Sequence, residues 1–164
     1  MSTIQTSAEI DAPIAPLFEL MQDYGLRLDW DPFLREMRFQ DGATEAAVGV
    51  QVWVRAHNGL TMEVEYITLK RPEQVAMRMT KGPAIFKQFS GAWGLKAITP
   101  ERTRVTFRYN FTVRPGFLAP LLDPVTRWVM RRDMEQRLAG LKKSAETTDI
   151  LRRLPPAPPA SPAS

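Results

Sequence analysis

The 164-residue chain contains no cysteine and a single histidine. The first absence excludes a disulfide framework, a thiolate metal site and a cysteine nucleophile. The second excludes a multi-histidine zinc site or a two-histidine proton relay within one chain. No metal or cofactor motif is recognisable, and none is expected to be bound. A run of about 18 apolar residues is also missing, so no membrane-spanning helix is expected. The start, Met-Ser-Thr-Ile-Gln-Thr, lacks a basic region followed by an apolar one. A cytoplasmic protein is the resulting expectation.

Charge and proline are present but unevenly placed. Residues 114–154 carry nine basic and five acidic side chains, while the rest of the chain balances at 13 of each. The net charge of +4 therefore belongs to that one segment. Five of the 14 prolines lie in the last ten residues, which hold only Pro, Ala and Ser. Such a tail has nothing to bury, so a domain over 1–150 and a disordered tail over 151–164 are expected.

Strand patterns dominate the middle of the chain. Ile4, Thr6, Ala8 and Ile10 alternate with polar residues, the signature of a strand with one apolar face. Asp11-Ala12-Pro13 reads as a capped helix start, with Ile14, Leu17, Phe18 and Met21 at helical spacing to about 22. A second short helix is expected over 23–28, with Trp30 in the loop after it. Strands follow at 34–40, 48–57, 60–69, 74–80, 86–97 and 103–113. In the second of these, Val48, Val50, Val52, Val54 and Ala56 share a face. Asn58-Gly59 predicts a type I′ hairpin, which needs positive φ at both residues. The last strand sets Val105, Phe107, Tyr109, Phe111 and Val113 against polar positions. Consecutive alternating strands with short turns make an antiparallel meander whose apolar face must be covered. From Phe117 to Leu151 the apolar spacing is helical, with Leu118, Leu122, Val125 and Val129, then Met134, Leu138 and Leu141, on the stripe. The expected fold class is α+β: a sheet of six to seven antiparallel strands, two short helices, and one long C-terminal helix across the sheet.

Particular residues within that order are similar to a known superfamily. Asp11-Ala12-Pro13 opens a helix reading Leu17-Phe18-Glu19-Leu20, and Trp30-Asp31-Pro32-Phe33 follows the second helix. Phe86–Trp93, then Thr103-Arg104-Val105-Thr106-Phe107, and the closing Arg132-Asp133…Leu138…Leu141-Lys142 complete the set. Together, over about residues 2–150, they resemble the START-like (SRPBCC) superfamily, in its polyketide cyclase/dehydrase-like and ubiquinone-binding-protein-like branch. The resemblance implies a helix-grip fold with an apolar cavity between sheet and long helix. It implies binding or transport of a lipid, quinone or polyketide-like molecule. It also leaves open an aromatase/cyclase-like enzyme, or a docking protein like the ribosome-associated relatives. It carries over no catalytic residue, since the superfamily shares no catalytic motif.

The residues themselves permit either a cavity or a packed core. The predicted inner face holds Val52, Val54, Met62, Val64, Tyr66, Met77, Met79, Phe89, Trp93, Phe107, Tyr109 and Phe111. Methionines adapt to varied shapes, and tyrosines offer a hydroxyl on an apolar ring. These twelve, with Trp30, Phe33, Val125 and Val129, are the candidate ligand contacts. Trp30 and Phe33 either pack on a helix end or gate the cavity. Tyr66 and Tyr109 are weak candidates for a catalytic acid. His57 reads as a surface residue at a strand end. Asp29 and Asp31 read as turn residues, or as a carboxylate pair at a cavity mouth. Glu63, Glu65, Arg78 and Arg108 belong to the wet face. Arg127, Arg131 and Lys142 roughly follow one side of the last helix, with Arg132 and Lys143 beside them and Asp133 and Glu135 diluting the patch. That face is either solvated or docks on an acidic surface, meaning an anionic membrane surface or RNA. No base-stacking platform accompanies it, so sequence-specific nucleic-acid reading is not expected. The sequence leaves the oligomeric state open.

Overall fold

The computed structural model describes residues 1–156. Strand β1 (Ser2–Ile10) leads into helices α1 (Ile14–Gln22) and α2 (Tyr24–Trp30). Six strands follow: β2 (Leu34–Phe39), β3 (Gln51–Ala56), β4 (Thr61–Lys70), β5 (Gln74–Lys81), β6 (Phe86–Thr99) and β7 (Arg102–Val113). A 3-10 turn over Gly116–Leu118 enters helix α3 (Ala119–Thr147). The sheet is antiparallel throughout, in the order β1-β7-β6-β5-β4-β3-β2. Register shifts in β2, β4 and β6 are bulges, which bend and twist strands and so curve the sheet. This is the expected α+β helix-grip architecture, with seven strands.

Alternation carries the fold most cleanly in β7. Thr103, Val105, Phe107, Tyr109, Phe111 and Val113 are buried, and the residues between them are not. The opposite face of the sheet is laced by charge pairs such as Arg78–Glu65 at 2.6 Å and Arg104–Glu9 at 3.0 Å. Helix α3 lies along β1. Met134, Leu138, Leu141 and Ala145 are buried, and the Lys142 ammonium donates to the Glu9 carbonyl at 2.7 Å. At 29 residues and 1.5 Å per residue, α3 is about 43 Å long, enough to cross the sheet.

Several local expectations are corrected. Gly49 takes a φ of +89°, so regular pairing in β3 starts only at Gln51 and Val48 lies exposed. The Asn58-Gly59 turn is not type I′, because only Gly59 has positive φ. Gly59 N–H donates to the Ala56 carbonyl and Ala56 N–H to that of Leu60, which makes a three-residue loop with a glycine bulge. Asp11 does not cap α1. Pro13 holds the cap position, while the Asp11 carboxylate pairs with Arg102 at 3.2 Å. Trp30 ends α2 rather than following it. The packed chain also runs past 150. Ile150–Arg153 forms a 3-10 turn with Ile150 buried, and Leu151 and Leu154 pack on the core. The part of the Pro/Ala/Ser tail from 157 onward lies outside the described residues.

Candidate ligand cavity

Curvature of the sheet and the position of α3 leave a cavity of about 610 Å³ between them. The inner face of the sheet supplies Val54, Met62, Val64, Tyr66, Met77, Phe89, Trp93, Phe107 and Tyr109. Phe33 closes it from the loop before β2, and Val125, Val129 and Met130 line it from α3. The other four candidate contacts lie elsewhere. Trp30 is buried edge-on to Trp93, with ring centroids 6.3 Å apart. Phe111 packs at 6.0 Å on Phe86. Val52 is fully buried, and Met79 folds over Gly82. These four stand outside the lining.

The cavity contains more charge than the inner-face pattern predicts. Arg137 sits three residues after Met134 and four before Leu141, on the buried stripe of α3. Its guanidinium lies 5.0 Å from the Phe33 ring centre and 5.2 Å from that of Phe107. Nη2 donates to Asp31 Oδ2 at 2.8 Å, Nε reaches both Asp31 oxygens, and Nη1 donates to the Tyr109 hydroxyl at 2.6 Å. Asp31 is therefore no partner of Asp29, which turns outward to Arg153 at 3.1 Å. Burial alone would raise the Asp31 carboxyl, but Arg137 and then Arg27 outweigh it and hold it below its ordinary value.

Asp133 completes this cluster from one turn earlier on α3, lining the cavity rather than diluting a surface patch. Burial pushes its carboxyl up to about 6; Asp31 adds to the rise, while Arg137 and the Tyr109 hydroxyl oppose it. Burial likewise raises the Tyr109 hydroxyl well above its ordinary value. The arrangement thus holds a permanent cation, a neutral phenol and a carboxyl raised to about 6, all on an apolar wall. A carboxyl poised there is suited to proton exchange.

A second polar group forms where α1 and α2 meet β4. The Tyr24 and Tyr66 hydroxyls lie 2.5 Å apart, and Tyr66 donates to Gln22 Oε1 at 3.3 Å. Gln22 lines the cavity, and among the described residues its buried Nε2 has no partner. Burial raises both tyrosines.

Other candidates fall outside the site. His57 is exposed in the β3–β4 loop. Glu63, Glu65, Arg78 and Arg108 lie on the outer sheet face, where Glu65 pairs with Arg78 and Arg108 donates to Gln5. The basic residues of α3 form no single stripe. Lys142 is tied to Glu146 and the Glu9 carbonyl, and Arg127 is half-buried, whereas Arg131 and Arg132 are exposed. Among the described residues no helix is long and apolar enough to cross a membrane.

Sheet, gripping helix and lined cavity define a helix-grip protein of the START-like class. The chain belongs to the family described as polyketide cyclase / dehydrase and lipid transport, which matches residues 1–146. Solved structures agree on the fold. The protein XoxI from Bacillus cereus is 14% identical with a TM-score of 0.74, over 88% of this chain and 96% of that one. A START superfamily protein from Mycobacterium smegmatis is 13% identical with a TM-score of 0.69, over 87% and 96%. The Zhui aromatase/cyclase from a Streptomyces species is 16% identical with a TM-score of 0.68, over 89% and 96%. No curated protein sequence matches the chain.

Proposed function

We propose that the cavity binds one hydrophobic small molecule of the lipid, quinone or polyketide-like kind. The observation that carries this reading is an apolar space of about 610 Å³, inside the ~300–1,000 Å³ range of small-molecule sites, with few polar groups on its wall. The apolar body of the ligand lies against Val64, Met77, Phe89, Trp93 and Phe107. Val54 and Met62 flank it, Phe33 closes one side, and Val125 and Val129 stand at the entrance. An oxygen-bearing end meets the Tyr109 hydroxyl and Asp133, or Tyr66 and Gln22 at the second polar group. Calorimetric titration with a long-chain fatty acid, a naphthoquinone and a polyhydroxylated aromatic tests the reading. One-to-one binding by at least one of them, lost in Val64→Trp, supports it. No binding across the panel, or equal binding by Val64→Trp, contradicts it.

A second reading, a cyclase-like enzyme, is favoured by one specific placement: Asp133 beside Tyr109 in the same cavity. As a base, the Asp133 carboxylate takes a proton from carbon next to a substrate carbonyl. The Tyr109 hydroxyl then hydrogen-bonds the enolate oxygen that forms. Deuterium uptake into the methyl group of 2-acetylnaphthalene, followed by NMR, tests this. Uptake above the buffer rate that falls in Asp133→Asn supports it, and uptake at the buffer rate removes it.

A further inference from the structure

The mouth of the cavity is rimmed by exposed apolar side chains. On the N-terminal half of α3, Leu121, Val125, Trp128 and Val129 recur at i, i+4, i+7 and i+8, which places them on one helix face. That face points away from the core. Leu121 is 71% exposed and Trp128 63%. Phe117, in the turn entering the helix, is 82% exposed. The stripe runs into the mouth, because Val125 and Val129 also line the cavity. Across the opening stand Leu60 and Ile85, both exposed and both lining. Isolated exposed apolar residues are ordinary, but a contiguous group around an opening marks an interaction surface.

The charge around this rim is predominantly positive. The three segments that form it, 57–62, 81–87 and 114–132, contain Lys81, Lys87, Arg114, Arg127, Arg131 and Arg132. They contain a single acid, Asp123, and its carboxylate accepts from the Ser2 hydroxyl; two more acids adjoin them, Glu63, which lies 3.9 Å from Lys81, and Asp133, which lines the cavity. Arg132 lies 5.9 Å from the Trp128 ring centre, at the edge of the apolar stripe.

We infer that this rim docks on an anionic lipid bilayer, with the cavity mouth against the membrane. The apolar side chains enter the headgroup and acyl boundary, Trp128 sits at the interface, and the bases face the phosphates. Long basic side chains suit this place because their stems lie along apolar surface while their heads reach the phosphates. A second copy of the chain fits the same face poorly. A twofold interface would set identical basic segments against each other with one acid to offset them. Docked in this way, the mouth opens to the lipid phase, and an apolar ligand enters without crossing water. That purpose rests on the cavity reading; the docking does not.

Vesicle co-sedimentation tests the inference, using phosphatidylcholine alone against phosphatidylcholine mixed with phosphatidylglycerol. The wild-type chain is expected to sediment with the anionic vesicles and to be released by salt. The combined variant Phe117→Ser, Leu121→Ser, Trp128→Ser is expected to bind about tenfold or more weakly. None of these three residues lines the cavity, so calorimetric ligand binding should persist in the variant, and an intact circular-dichroism spectrum establishes that it folds. Failure of every ligand to bind would remove the cavity reading alone. Absence of vesicle binding by the wild type overturns the docking. So does undiminished binding by the variant, or a solution dimer that the variant dissolves.

Discussion

Arg137 Nη2 lies 2.8 Å from Asp31 Oδ2, and both side chains are buried. The pair ties α3 to the turn after α2 at the wall of the cavity. It also fixes the Tyr109 hydroxyl, which accepts from Nη1 of the same guanidinium. Two charges taken out of water need each other, and losing one leaves the other uncompensated.

Asp31→Ala is therefore expected to destabilise the fold by about 3–5 kcal/mol. Replacing both partners, as Asp31→Leu with Arg137→Met, should recover most of that loss. Arg27, the second cation on Asp31, keeps its bond to the Met21 carbonyl at 3.0 Å. Urea denaturation of the two single variants and the double variant measures the coupling; additive losses would contradict it. Asp31 is held below its ordinary value, so its contribution is present above the ordinary carboxylate range. It is lost as pH falls below that range, under about pH 4.

Asp133 has the opposite sign. Its carboxyl is raised to about 6 in the fold, so its stabilising contribution is full below about pH 4 and is lost as pH rises through 6. Between pH 4 and 7 the wild type should lose about 1–2 kcal/mol relative to Asp133→Asn. The full shift corresponds to about 3 kcal/mol, reduced because the side chain is only half-buried. A stability difference that stays flat with pH would contradict this.

Tyr109→Phe removes a hydroxyl that favours the charged form of Asp133. Carbon-13 NMR titration of the carboxyl should then show Asp133 moving further up from about 6. The Arg137 guanidinium loses one acceptor in the same variant, at a cost of about 1–3 kcal/mol.

Gly140 lies on α3 where the helix meets α2. A Cβ there would overlap the Trp30 carbonyl oxygen and lie 3.1 Å from Pro32 Cδ. Alanine favours a helix over glycine by up to about 1 kcal/mol, yet backbone cannot yield as a side-chain tip can. Gly140→Ala is expected to lower stability by about 1–3 kcal/mol, read from its thermal midpoint.

Where one periodicity decided the outcome, the fold was legible. In β7 every second residue from Val105 to Val113 is apolar, and those are buried. Periodicity could not show which half of α3 meets the sheet. Val125 and Val129 continue the apolar stripe, yet they stand at the mouth, while Met134, Leu138 and Leu141 reach the core. Nine of the twelve predicted inner-face residues line the cavity, because one face of a sheet is all the side chains can choose between; alternation does not separate them from Val52, Met79 and Phe111, which lie outside the lining. The polar cluster does not follow from alternation. Asp133 reads as diluting a surface patch and Arg137 enters only as one of nine basic residues, although Arg137 falls on the same stripe as Met134 and Leu141. A charged residue in an apolar stripe is the signal, and its partners come from the turn after α2 and from β7, more than 25 residues away and beyond any local pattern.

The central claim is that the cavity holds a hydrophobic molecule, and native mass spectrometry of the freshly purified chain tests it most directly. The account predicts a second species heavier by one small apolar molecule, which Val64→Trp no longer carries. A single unliganded mass that stays unliganded after incubation with fatty acid, quinone and aromatic polyketide would contradict it.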